Sequence, residues 1–143
     1  MKLFESGKIG KLSIKNRIVM SAIAVGALTE PEGGFSQRVI DYYVARAKGG
    51  AGLIITGVAF VSCEIEDLPI VSKLVVDSKI CMSPLSELVD AIHDYGAKVA
   101  VQLTAGFGRN TDTKLPVAPS ALPCSLDPNV IARLIKSINH HRL

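Results

Sequence analysis

The chain has no tryptophan, few aromatic residues (5%), three cysteines and no stretch of one charge sign, and each shortage excludes something. Cys63, Cys81 and Cys124 are an odd number at wide spacing, which fits neither a disulfide framework nor a C-x-x-C metal site. They read as reduced packing or loop residues, and no metal is expected. The net charge is only +3 and the lysines and arginines are scattered among acids, so neither nucleic acid nor an anionic membrane is indicated as a partner. No apolar run approaches the length of a membrane span, and the opening MKLFESGKIGK lacks a signal peptide's apolar centre. A cytoplasmic location is expected. No G-x-x-x-x-G-K-[ST] occurs, no G-x-G-x-x-G follows an apolar run, and no acid stands where a dinucleotide ribose would want one, so a Rossmann reading is weak.

What is present is a globular composition, 48% hydrophobic and 20% charged, in a 143-residue chain about one domain long. The stretch Asp41–Gly57, DYYVARAKGGAGLIITG, organises the rest. Its first half is the end of an amphipathic helix, Gly49-Gly50 give the backbone freedom to stop it, and Leu53-Ile54-Ile55 form a short apolar run. A strand apolar on every residue suits a parallel sheet covered on both faces.

In chain order, two apolar-bearing segments around Gly7 and Gly10 predict a small hairpin over Leu3–Ile14, with Lys15-Asn16 as a turn. The first main strand is expected at Arg17–Ser21, followed by a long loop from Ala22 to Phe35. Ser36 is a plausible N-cap for a helix to about Lys48, whose apolar face is Val39, Ile40, Tyr43, Val44 and Ala47. A tyrosine at this spacing reads as packing, its hydroxyl reaching water. A second strand is expected at Gly52–Thr56. Residues 57–82 show no helical period and suggest a functional excursion. Ser83-Pro84 marks the next helix start, and Leu85, Leu88, Val89, Ile92 and Tyr95 trace its stripe up to Gly96; His93 sits just off it, a surface or boundary residue and not a ligand.

Val99-Ala100-Val101, extended by Gln102-Leu103, makes the third strand. A glutamine at the carboxyl end of an apolar strand stands out, because a buried amide needs partners. Four prolines after Asn110 predict little regular structure to Asn129, and Val130–Leu143 fits a short helix. Strand, helix, strand, helix, strand is the alternation of a parallel α/β protein. In a (β/α)8 barrel the reactive edge lies at the strands' carboxyl ends, which here carry SAIAVG, TGV and QLTAGFGR. Small uncharged side chains let a flat aromatic ligand lie against backbone, and the Gln102 amide offers both donor and acceptor to a heterocycle.

Several ordered motifs resemble the Old Yellow Enzyme family of NADH:flavin oxidoreductases. They are Leu3-Phe4, Lys15–Met20, Asp41–Tyr43 with Ala45–Gly50, Gly52–Thr56, Leu88–His93, Gly96–Lys98, Gln102-Leu103 and Pro116–Ser120. The resemblance implies that Ser21, Ala22, Ile23 and Ala24 line FMN, that Gly57 approaches its ring, and that Gln102 hydrogen-bonds its pyrimidine edge. It also implies hydride transfer from NAD(P)H through FMN to an activated C=C bond of a small-molecule substrate, or to oxygen. Ala22-Ile23 replaces the family's frequent Ala-Pro-Met, and Gln102–Arg109 is one residue longer than the frequent Gln-Leu-x-His-x-Gly-Arg and lacks its histidine. That variant is more similar to the enoate reductase and NADH oxidase branch, whose longer members also carry an iron-sulfur cluster; the cluster cysteines are absent here.

A closed barrel of this type takes about 250 residues, and the family's substrate-gripping pair, proton-donating tyrosine and phosphate site lie on later strands. The expected architecture is therefore α/β, a partial (β/α)8 TIM barrel of three βα units preceded by an N-terminal β-hairpin. Residues 1–143 would be the amino-terminal portion of one FMN-binding barrel domain, truncated, with 130–143 an atypical tail. The alternative is a catalytically inert fragment or a partner-docking piece. Unpaired sheet edges would favour association with a partner or with a second copy of the chain.

Overall fold

The computed structural model describes residues 1–25, 34–61, 74–76, 79–110, 116–124 and 126–134. Most of the loop after the first main strand, the middle of the excursion with Cys63, and residues 135–143 lie outside the described residues. At the amino end, β1 (Gly7–Ile9) and β2 (Leu12–Ile14) pair antiparallel across a two-residue turn. So small a ribbon is marginal alone. It is anchored by Ile14, which is buried.

The first main strand, β3, runs Val19–Ile23 and starts two residues later than the sequence suggests. The cause is Asn16. Its Oδ1 accepts from the Ile18 amide at 3.0 Å and its Nδ2 donates to the Gly50 carbonyl at 2.7 Å, while the Arg17 amide donates to Leu3. These groups serve a knot below the sheet and not the strand ladder.

Helix α1 (Gln37–Lys48) has the expected bounds, with the Ser36 hydroxyl accepting from the Val39 amide at 3.3 Å. Val39, Ile40, Tyr43 and Ala47 are buried, and Val44 packs at their margin. Burying each of the larger ones is worth about 1.5–3 kcal/mol. Gly49 stays helical, and Gly50 makes the stop at φ +102°, a backbone conformation that side chains resist.

The next strand, β4, covers Leu53–Phe60, four residues beyond the expected end. Val75 bridges to Phe60, with the Phe60 amide donating to Leu74 and the Val76 amide to Phe60, so segment 74–76 returns to the tip of β4. Helix α2 spans Lys79–His93, starting four residues before Ser83 and running through Pro84. The cap-and-first-turn reading of Ser83-Pro84 is thus corrected: the proline sits inside the helix and removes a single i to i−4 bond, an interior cost of about 3 kcal/mol. Leu88 and Ile92 are buried, but Tyr95 lies past the helix end and is exposed.

Strand β5 (Lys98–Thr104) completes a three-stranded sheet of order β3-β4-β5, all parallel. Residues of α1 and α2 share one cluster with Ile54 and Ala59, so both helices cover the same face. The expectation of strands covered on both faces holds for β4 alone; β3 and β5 alternate between covered and exposed residues. The proline-rich region contains a short β6 (Val117–Ala118), parallel to β7 (Arg133–Leu134), where little structure and then a helix were expected. No helix among the described residues is long and apolar enough to cross a membrane.

Candidate functional site

Parallel pairing puts the carboxyl ends of β3, β4 and β5 on one edge, and the pairing carries the residues singled out in the sequence to neighbouring rows. Ile23 stands opposite Thr56, Gly57 follows, and Val58 stands opposite Gln102. Ser21 is a strand residue as expected, Ala22 and Ile23 are strand residues and not loop residues, Ala24 is the first after the strand, and Gly57 and Gln102 lie inside their strands short of the tips. Ser21, Ile23 and Ala24 are exposed and Ala22 is half-buried. Gln102 is exposed, which corrects the reason for which it stood out: its amide is not buried, and β5 alternates so that Val99 and Val101 pack on the helices while Ala100 and Gln102 remain open.

The sheet is irregular at this level. Between Met20 and Ile23 on β3 two residues, Ser21 and Ala22, face the single Ile55 of β4. Between Ile55 and Val58 two residues of β4, Thr56 and Gly57, face the single Val101 of β5. Each is a bulge, the feature that re-aims side chains and often borders a site. The β4 bulge switches faces, because Ile54 and Ala59 both pack on the helices although five residues apart. Gly57 lies so close to β3 that a Cβ there would meet the Ile23 carbonyl oxygen and the Ala24 Cα. Only glycine permits that approach.

Tyr43 of α1 reaches this level. Fully buried, it donates its hydroxyl proton to the Ile23 carbonyl at 3.2 Å and accepts from the Gly57 amide at 2.7 Å. The expectation that this hydroxyl reaches water is therefore overturned. Burial raises its pKa, opposed by the Gly57 amide bond, with smaller contributions from Tyr42 (upward) and Arg46 (downward). The apolar stripe hid this role; the sequence signal was a glycine interrupting an apolar strand.

At the rim, the Thr104 hydroxyl both donates to the Gly106 carbonyl and accepts from its amide. The turn presents Phe107, 47% exposed, edge-on to the buried Phe60 with centroids 5.7 Å apart. Segments 21–25, 57–61 and 102–108 contain no titratable side chain. Such an edge can hold and orient a neutral flat ligand by backbone groups, small side chains and one carboxamide, and these described segments offer no acid or base. Among the described residues no group of three or more His, Cys, Asp or Glu could hold a metal ion, and Cys124 is a buried thiol. His93, at the end of α2, is exposed and belongs to the opposite, amino edge of the sheet.

The sequence profile of the NADH:flavin oxidoreductase / NADH oxidase family matches residues 2–141. This chain belongs to that family. Among curated family relatives, it is 41% identical over 137 residues to a cinnamate reductase of Clostridium sporogenes, covering 92% of this chain and 21% of that protein. It is 44% identical over 128 residues to an NADH oxidase of Thermoanaerobacter brockii, covering 86% and 19%. The old yellow enzyme of Trypanosoma cruzi superposes with a TM-score of 0.65 at 27% identity, over 76% of this chain and 28% of that one. The chain thus spans about a fifth of the length of the two curated relatives.

Proposed function

We propose that this chain forms the flavin-facing amino-terminal part of an FMN-dependent oxidoreductase, supplying the hairpin and first three βα units of a (β/α)8 barrel. The observation that carries the reading is the carboxyl edge, uncharged over segments 21–25, 57–61 and 102–108, on which Ser21–Ala24, Gly57 and Gln102 occupy adjacent rows. The adjacent parallel order with both helices on one face fits the wall of a barrel, the open face turning inward. The chemistry supplied by bound FMN is relay of a hydride from NAD(P)H to an activated C=C bond or to oxygen, in keeping with the reductase and oxidase names of the relatives. This chain's own share is orientation. Ser21–Ala24 support the ring through main chain and small side chains, Gly57 keeps the strands close, and the Gln102 carboxamide gives a donor and an acceptor to the pyrimidine edge.

Titration of the chain with FMN, followed by quenching of flavin fluorescence, tests this. Saturable binding is expected, with Gln102→Leu weakening it about tenfold, as befits about 1.4 kcal/mol of hydrogen bonding. A colourless protein that leaves FMN fluorescence unchanged sinks the reading for this chain. The second reading, a piece inert until it docks on a partner, is favoured by Val19, Ile23 and Leu103, apolar and exposed on the two outer strands. It predicts flavin binding only after other strands are supplied.

A further inference from the structure

The hydroxyl of Tyr43 stands within the sheet, although its residue belongs to the helical layer. Five residues before Gly57, the Gly52 amide donates directly to the Ile18 carbonyl at 2.9 Å. The same offset in sequence separates Gly57 from Ile23, yet there the path runs from the Gly57 amide to the Tyr43 oxygen and from the Tyr43 proton to the Ile23 carbonyl. A side chain has been inserted into the ladder where both neighbouring strands bulge. Its ring is held by the core cluster and by an edge-to-face contact with Tyr42 at 5.2 Å, so the hydroxyl is delivered from a rigid support.

The two backbone groups that it bridges are the ones that set the carboxyl edge. Ile23 carries the chain into Ala24, and Gly57 is the residue whose missing side chain lets β4 lie against both. The glycine allows the approach, and the hydroxyl holds it at a defined spacing. A phenylalanine would fill the same volume but leave the buried Gly57 amide without its partner, a loss felt at this row.

We propose that Tyr43 is a positioning residue, its hydroxyl fixing the spacing of Ile23–Ala24 against Gly57 and so the shape of the edge on which the ligand lies. The ligand half of this statement rests on the flavin reading above; the spacing half does not.

The test uses the full 143-residue chain and Tyr43→Phe. In the unaltered chain, NMR should show a slowly exchanging Tyr43 hydroxyl proton with a cross-peak to the Gly57 amide; a rapidly exchanging proton without that cross-peak overturns the proposal whether or not the variant folds. In Tyr43→Phe, hydrogen exchange at the Gly57 amide should quicken at least tenfold while the Ile54 amide in the same strand keeps its rate. Equal acceleration at both sites means general loosening and overturns the proposal, as does an unchanged Gly57 rate. FMN is the ligand probe: the variant's Kd should rise about tenfold, and an unaltered Kd beside a fast Gly57 amide refutes the positioning role. If the unaltered chain binds no FMN, the flavin reading fails by itself, and the exchange data still decide whether the hydroxyl sets the spacing.

Discussion

At the scale of single residues, the polar side chains that matter most act on backbone. Asn16 satisfies the Ile18 amide and the Gly50 carbonyl together, tying the entry to β3 to the exit from α1. Asn16→Ala should lower the unfolding free energy by about 1–3 kcal/mol, read from the urea midpoint at unchanged slope. The sequence marked Asn16 only as a turn, because its partner lies 34 residues away. Tyr43 brings a pH dependence to stability. Its folded pKa is raised, chiefly by burial, above the unfolded value of about 10, so the folded chain keeps a proton that the unfolded chain gives up. The stability this hydroxyl contributes is fully present below about pH 10 and is lost as pH rises through the folded value. Urea midpoints of the unaltered chain and Tyr43→Phe should therefore differ at neutral pH and converge in strong alkali; a constant difference would contradict the assignment.

Among the elements, α1 was legible to the residue, because cap, stripe and terminal glycine all name the same bounds. The start of α2 was misread because Ser83-Pro84 has the composition of a helix entry while the helix passes through it. Because the helix begins at Lys79, Pro84→Ala restores an interior amide and should raise the thermal midpoint by several degrees, consistent with a few kcal/mol; a lower midpoint would contradict the interior placement of the proline. The length of β4 escaped the apolar-run criterion, since it crosses the bulged level at Gly57 and recovers its pairing beyond, up to Phe60 opposite Thr104, whereas β5 exceeds its expected extent, Val99–Leu103, by one residue at each end. A groove of about 410 Å³ lies away from the carboxyl edge, between the start of β3 and the end of α1, lined by Ile18, Met20, Ala45, Arg46 and Ala51.

At the scale of the molecule, the helices among the described residues lie on one face of the three-stranded sheet, and β3 and β5 expose Val19, Ile23 and Leu103 on its outer strands. Concentration-dependent self-association is the expected behaviour of such edges. Paired substitutions Val19→Lys and Leu103→Lys should shift the sedimentation profile towards monomer; an unchanged profile would place the contact elsewhere. The sequence by itself determined the alternation of strand and helix, the face of α1 that is buried and the family, because these follow from local periodicity and from motifs in fixed order. Tertiary structure alone decided the register in which Ser21–Ala24, Gly57 and Gln102 stand along that edge, that both bulges fall at one level, and that the Tyr43 hydroxyl closes the gap there. Each depends on strand register, which is set by contacts between residues far apart in the chain.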